Sequence, residues 1–135
     1  MTILITGATS GFGKAMAYIY AQNQHNLIIT GRREHLLLQL AKELQQEYNI
    51  NVLPLLFDVQ DKKAVFAAIN SIPNEFKTID VLINNAGFGV HGAFHETELQ
   101  KELNMVNLQI QSTLSLTKLV LPYMQERRSG FILNV

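Results

Sequence analysis

Short apolar runs alternate with amphipathic stretches along this chain, and this alternation restricts the possible folds most strongly. The runs are Thr2–Thr6, Asn26–Thr30, Val52–Phe57, Ile79–Ile83 and Phe131–Val135. They are almost continuously apolar, which is typical of parallel strands that are buried on both faces. Strands that alternate with helical segments predict an α/β fold with a doubly wound parallel sheet, formed as one domain by residues 1–135.

Four helices are predicted between these strands. They cover Lys14–Gln24, Glu34–Tyr48, a segment from the N-cap Asp61 to about Ile72, and a long segment from about Glu98 to Arg127. The long helix has one apolar row of Leu99, Leu103, Val106, Ile110, Leu114, Thr117 and Leu121, and a second row of Met105, Leu108, Leu116 and Leu119. One row should cover the sheet, and the other should contact a partner.

Composition excludes several classes of function. The 11 basic and 11 acidic residues balance, whereas a nucleic-acid surface usually shows a basic excess. The chain has no cysteine, which excludes thiolate catalysis and cysteine-ligated zinc. His91 and His95 lie among glycines, so we expect a loop there and no metal site. No apolar stretch approaches the roughly 18 residues of a membrane span, and we expect a cytoplasmic protein.

The first turn reads Thr6-Gly7-Ala8-Thr9-Ser10-Gly11-Phe12-Gly13 and lies between a predicted strand and a predicted helix. At such a position the free N–H groups and the positive dipole end of the helix can hold a phosphate. Gly7 permits the tight turn, Gly11 a close approach to a pyrophosphate, and Gly13 close packing of helix on strand. The alternative is a tight connection that binds no ligand.

This turn resembles the cofactor motif of the short-chain dehydrogenase/reductase family, Thr6-Gly7-x-x-x-Gly11-x-Gly13. Asn84-Asn85-Ala86-Gly87 and Phe57-Asp58-Val59 resemble two further motifs of that family, and Gly130–Val135 resembles the strand that leads to its catalytic serine. The resemblance covers about the first half of a typical member. We therefore expect a Rossmann-type domain with strand order 3-2-1-4-5, truncated after the fifth strand and incomplete at its C-terminus.

The end of the second strand predicts the cofactor. Enzymes that prefer NAD place an acidic residue there to bond the ribose 2′-hydroxyl, but this chain has Gly31 followed by Arg32 and Arg33. A guanidinium suits a 2′-phosphate, so we expect NADP(H), with Arg32 as the better candidate. The alternative is a solvated basic pair that begins a helix.

The motifs and the resemblance together give a set of expected cofactor contacts. Asp58 should lie on the adenine side, although it could instead be an exposed turn residue, and Asn84 and Ala86 should line the ribose side. The amide of Asn85 is expected to brace neighbouring strands. The full set is Gly7, Thr9, Ser10, Gly11, Phe12, Gly13, Arg32, Arg33, Asp58, Val59, Asn84, Ala86 and Gly87.

The resemblance implies a catalytic serine that would lie just past Val135 and a Tyr-x-x-x-Lys pair on the helix after it. Within the 135 residues no tyrosine is followed by lysine four positions later, so none of the tyrosines is expected to be catalytic. The resemblance also implies an asparagine inside the long helix that is linked to a proton relay. Asn107 invites this assignment, but counting back from Leu121-Pro122 puts the family position on Gln109, which is therefore the one catalytic candidate in this chain. The alternative is a helix residue without a catalytic role.

The resulting hypothesis is the N-terminal portion of an NADP(H)-dependent oxidoreductase that interconverts a carbonyl with a secondary alcohol or hydroxy acid. Its partners should be a small-molecule substrate and a second copy of the chain, and the 135 residues alone should be inactive. The alternatives are a nucleotide-binding module and a truncated product without activity.

Overall fold

A computed structural model describes residues 1–135 and contains one five-stranded sheet with helices on both faces. The strands are β1 (Thr2–Ile5), β2 (Asn26–Gly31), β3 (Val52–Leu56), β4 (Val81–Asn84) and β5 (Phe131–Asn134). All four neighbouring pairs are parallel, and their order is β3-β2-β1-β4-β5. This confirms the predicted doubly wound sheet and its strand order.

The helices are α1 (Gly11–Gln22), α2 (Glu34–Tyr48), α3 (Lys62–Asn70), α4 (Leu99–Val106) and α5 (Thr113–Arg127), and a 3₁₀ turn covers Asn74–Phe76. The side chain of Asp61 caps α3 as predicted, because it accepts hydrogen bonds from the N–H groups of Lys63 and Ala64 at 2.9 and 3.1 Å. None of the helices combines the length and the apolar character needed to cross a lipid bilayer.

The long helix predicted before β5 is not a uniform α-helix. A π-helical turn, Asn107–Ser112, separates α4 from α5, and the hydroxyl of Ser112 donates a hydrogen bond to the carbonyl of Leu108 inside it. Periodicity could not reveal this turn because an insertion of this kind leaves the apolar spacing on either side nearly intact. Such turns are rare and often lie at functional sites.

Alternate residues of the strands build two separate layers of the core. Ile3, Ile5 and Ile29 belong to the layer that includes the buried residues of α1 and α2. Leu4, Ile28 and Leu82 belong to the opposite layer, which includes those of α3 and α5. Because successive side chains of a strand point to opposite faces, continuous apolar runs are what a sheet covered on both faces requires.

The structure also decides which apolar row of the long helix covers the sheet. Leu108 and Leu116, from the second row, are 5% and 1% exposed and pack in the core. Five members of the first row remain between 43% and 68% exposed: Leu99, Leu103, Val106, Ile110 and Leu114. No other part of this chain covers that row.

Two neighbouring leucines of α5 test this assignment. We expect Leu116→Ala to lower the free energy of unfolding by about 2–5 kcal/mol, because it removes buried methyl groups and leaves a cavity. Leu114→Ala is the matched control: at protein concentrations low enough to keep the chain monomeric, it should change the free energy of unfolding by no more than about 0.5 kcal/mol. Urea unfolding measures both; an equal loss from the two substitutions would contradict the packing.

Candidate functional site at the carboxyl ends of the strands

A cavity of about 390 Å³ opens at the carboxyl ends of the strands. It lies where the strand order reverses between β1 and β4, which is where open α/β sheets bind ligands. Its volume is within the range of small-molecule sites. Eleven of the expected contact residues line it: Gly7, Thr9, Ser10, Gly11, Phe12, Arg32, Arg33, Asp58, Val59, Ala86 and Gly87.

The glycine-rich turn forms one wall of this cavity and leads into α1. Gly7 and Gly11 have φ angles of +66° and +54°, a conformation in which residues with a Cβ are strained. A Cβ on Gly11 would meet no atom within 4 Å, so this part of the turn faces open space. Ser10 precedes α1 without making a side-chain cap bond, which leaves the first N–H groups of the helix available to an anion.

Gly13 does not line the cavity; it lets α1 pack directly against the turn. A Cβ at this position would lie 2.4 Å from the carbonyl oxygen of Gly7 and 2.5 Å from Nδ2 of Asn85. That same Nδ2 donates to the carbonyl oxygens of Thr6 and Gly7, at 2.9 and 3.2 Å. The structure therefore places Asn85 as a brace between the end of β4 and the turn after β1.

The two arginines at the end of β2 have different surroundings. Nη2 of Arg33 donates to Oγ1 of Thr9 at 2.9 Å and to Oγ of Ser10 at 3.0 Å, so the guanidinium is held against the glycine-rich turn. Nη1 of Arg32 lies 3.5 Å from Oδ2 of Asp58, and the two side chains are 65% and 39% exposed. Sequence reasoning missed the anchoring of Arg33, for which the hydroxyls at positions 9 and 10 were the available signal.

Asn84 lies outside the cavity lining, unlike the position expected for it. Its side chain is 5% exposed, and Nδ2 donates to Oδ1 of Asn134 at 2.9 Å and to Oγ1 of Thr117 at 3.3 Å. The reason is the alternation of side chains along β4, because Asn84 shares the face of Leu82, which packs in the layer of α5. Oδ1 of Asn84 has no hydrogen-bond partner.

Gln109 also lies outside the lining, but it contacts residues that belong to it. From the π-helical turn, Nε2 of Gln109 donates to the carbonyl oxygen of Phe88 at 3.0 Å. A Cβ on Gly87 would lie 3.4 Å from the same Nε2. Because Gly87 and Phe88 both line the cavity, Gln109 supports its wall on the side of β4.

Two tyrosines have shifted pKa values, and neither lines the cavity. Burial, followed by a hydrogen bond to Glu43, raises the pKa of Tyr18 to about 12. A hydrogen bond with Glu47 raises the pKa of Tyr48. Both phenols thus hold their protons more tightly than usual.

No group of three His, Cys, Asp or Glu side chains comes together in a way that could hold a metal ion, and His91 and His95 lie in the loop after β4.

Known proteins resemble this chain over its whole length. Residues 1–135 match the family profile described as short chain dehydrogenase. An NADP-dependent 3-hydroxy acid dehydrogenase of Schizosaccharomyces pombe is 40% identical over 136 residues, which cover 99% of this chain and 52% of that protein. The chain spans about half the length of the curated relatives it matches.

Solved structures share the fold of this chain. The crystal structure of serine dehydrogenase from Escherichia coli superposes with a TM-score of 0.89 at 34% identity, over 99% of this chain and 61% of that one. L-sorbose reductase from Gluconobacter frateurii, solved with NADPH and L-sorbose, gives a TM-score of 0.90 at 28% identity over 98% of this chain and 51% of the other.

Gly13 tests the close packing that shapes this site. Replacing glycine with alanine inside a helix normally stabilises it by about 1 kcal/mol. At Gly13 the new methyl would overlap the carbonyl oxygen of Gly7, so we expect Gly13→Ala instead to lower the free energy of unfolding by about 1–3 kcal/mol. Gly89→Ala is the control, because its Cβ would have no neighbour closer than 3.4 Å. A stabilised Gly13→Ala protein would show that α1 does not press on the turn.

Proposed function

Because the chain belongs to the short-chain dehydrogenase family, we propose that it forms the NADP(H)-binding part of an oxidoreductase that interconverts a carbonyl with an alcohol. The observation that carries this proposal is the end of β2. Arg32 and Arg33 both line the cavity there, and Gly31 stands where a carboxylate would be needed for NAD. When bound, NADP(H) supplies or accepts the hydride.

The residues around the cavity fit this cofactor. The pyrophosphate would lie against Gly11 and the N-terminus of α1, where the open space above the glycine allows a close approach. The 2′-phosphate would contact the arginines, and the adenine would lie near Asp58 and Val59. The nicotinamide end would then extend past β1 towards Ala86 and Gly87, which follow β4.

Two further roles concern the reaction. Gln109 acts as a positioning residue, since its amide holds the carbonyl of Phe88 at the end of the cavity nearest β4. 3-Hydroxy acids are the substrate class that we favour, because a 3-hydroxy acid dehydrogenase and a serine dehydrogenase each resemble this chain over 99% of its length. No Tyr-x-x-x-Lys sequence occurs within the 135 residues, so we do not assign a proton donor to them, and we propose that they are inactive alone.

Cofactor preference tests the proposed function directly. We expect the chain to bind NADP⁺ more tightly than NAD⁺. Arg33→Ala should lower the affinity for NADP⁺ by roughly 10- to 100-fold, as for loss of a charge-assisted hydrogen bond. Arg32→Ala should weaken it as well, since this side chain also lines the cavity. Isothermal titration of the chain and both variants with NADP⁺, NAD⁺ and 2′,5′-ADP measures these affinities.

Lys42→Ala provides the control for this titration, because it removes an exposed positive charge from α2 outside the cavity. It should leave the preference for NADP⁺ unchanged. Equal affinity of the unmodified chain for NADP⁺ and NAD⁺ would rule out the proposed cofactor, and an equal effect of Lys42→Ala would reduce the role of the arginines to net charge.

The exposed row that runs along α4, the π-helical turn and α5 leads us to propose that the chain forms a homo-oligomer. Replacing one of its members with a charge, Ile110→Glu, should shift the protein towards monomer at micromolar concentration, because Ile110 is 61% exposed in the middle of the row. Leu38→Glu places the same charge at an exposed leucine of α2 and should have no such effect. Sedimentation velocity decides: an unmodified chain that is already monomeric would contradict the interface.

A further inference from the structure

The need for glycine at position 31, at the end of β2, comes from a neighbouring side chain and not from the backbone conformation. Gly31 is buried and does not have a positive φ, so its conformation is open to other residues. A Cβ at this position, however, would lie 2.8 Å from Cγ2 of Thr9 in the glycine-rich turn. The next nearest atom, Cδ1 of Leu37, would be 3.6 Å away, at ordinary contact distance. The methyl group of Thr9 is thus what excludes a side chain at position 31.

The same threonine holds Arg33 through its other branch. Oγ1 of Thr9 accepts the hydrogen bond from Nη2 of Arg33 at 2.9 Å. Methyl and hydroxyl share one Cβ, so a rotation that moves the methyl away from Gly31 also moves the hydroxyl away from the guanidinium. The position of Arg33 and the exclusion of a side chain at position 31 are therefore coupled through one rotamer.

We propose that Thr9 is a specificity-determining residue that both strengthens the binding of NADP(H) and weakens the binding of NAD(H). Its hydroxyl holds the Arg33 guanidinium at the place proposed for the 2′-phosphate. Its methyl blocks the site of the carboxylate that would bond a free ribose 2′-hydroxyl. Specificity is a difference between two affinities, and Thr9 acts on both of them. This inference rests on the proposed function and extends it from the arginines to the turn.

Two substitutions of Thr9 separate its branches. Thr9→Val keeps a methyl towards Gly31 and removes the hydroxyl, so we expect the affinity for NADP⁺ to fall about 3- to 10-fold relative to that for NAD⁺. Thr9→Ser keeps the hydroxyl and removes the methyl, so it should leave the affinity for NADP⁺ within about twofold. An unchanged ratio of the two affinities in Thr9→Val would overturn the positioning half of the proposal.

The excluding role is tested by adding a carboxylate. Gly31→Asp alone should weaken the binding of NADP⁺ without strengthening the binding of NAD⁺, because Thr9 leaves no room for the new side chain. In the Thr9→Ser background, Gly31→Asp should bind NAD⁺ at least about tenfold more tightly than Gly31→Asp alone, as for one additional good hydrogen bond. Equal affinities of the single and double variants for NAD⁺ would overturn the excluding half.

A thermal unfolding cycle makes the steric test independent of the cofactor. Gly31→Ala should lower the melting temperature of the unmodified chain, and it should lower it much less in the Thr9→Ser background. Equal losses in both backgrounds would show that Thr9 does not exclude a side chain at position 31. If the unmodified chain does not prefer NADP⁺, the proposed function fails, whereas this cycle still decides whether Thr9 and position 31 are in conflict.

Discussion

The close contact of α1 with the turn after β1 is the constraint on which the candidate site depends. At Gly13 the helix comes so near to the carbonyl of Gly7 that no side chain fits between them. On the other side, the hydroxyl of Thr6 accepts hydrogen bonds from the backbone N–H groups of Asn85 and Ala86, each at 2.9 Å. The turn is thus fixed between α1 and β4, and the open space above Gly11 follows from that fixed path.

Much of this arrangement could be predicted from sequence because it rests on local rules. Continuous apolar runs separated by amphipathic segments leave few alternatives to a parallel sheet covered on both faces. A glycine-rich turn between the first strand and helix then places the site at their junction. The predicted bounds of α2 agree with the structure residue for residue, whereas α1 begins at Gly11 and not at Lys14, because glycines are poor helix formers and hide the first turn.

The remaining features depend on tertiary contacts that no local pattern encodes. Both apolar rows of the long helix have helical spacing, and only the packed structure shows that Leu108 and Leu116 face the sheet. The hydrogen bonds of Arg33 join positions more than twenty residues apart. Asn84 is a different case, since counting alternate residues from Leu82 would have directed its side chain into the core. Asn84 is itself part of a family motif, and the expectation that it lines the ribose side came from that motif and not from the strand geometry.

The two arginines illustrate how neighbouring side chains determine what a charged group contributes to binding. An exposed ion pair such as that of Arg32 with Asp58 contributes little, because water screens it and both side chains lose freedom when they pair. Arg33 is already ordered by Thr9 and Ser10, so an anion that binds there would not have to restrict its long side chain. The hydroxyl groups have no charge, yet they decide which arginine is held in place before binding. The selectivity proposed for this site would therefore depend on the turn as much as on the strand end that carries the charge.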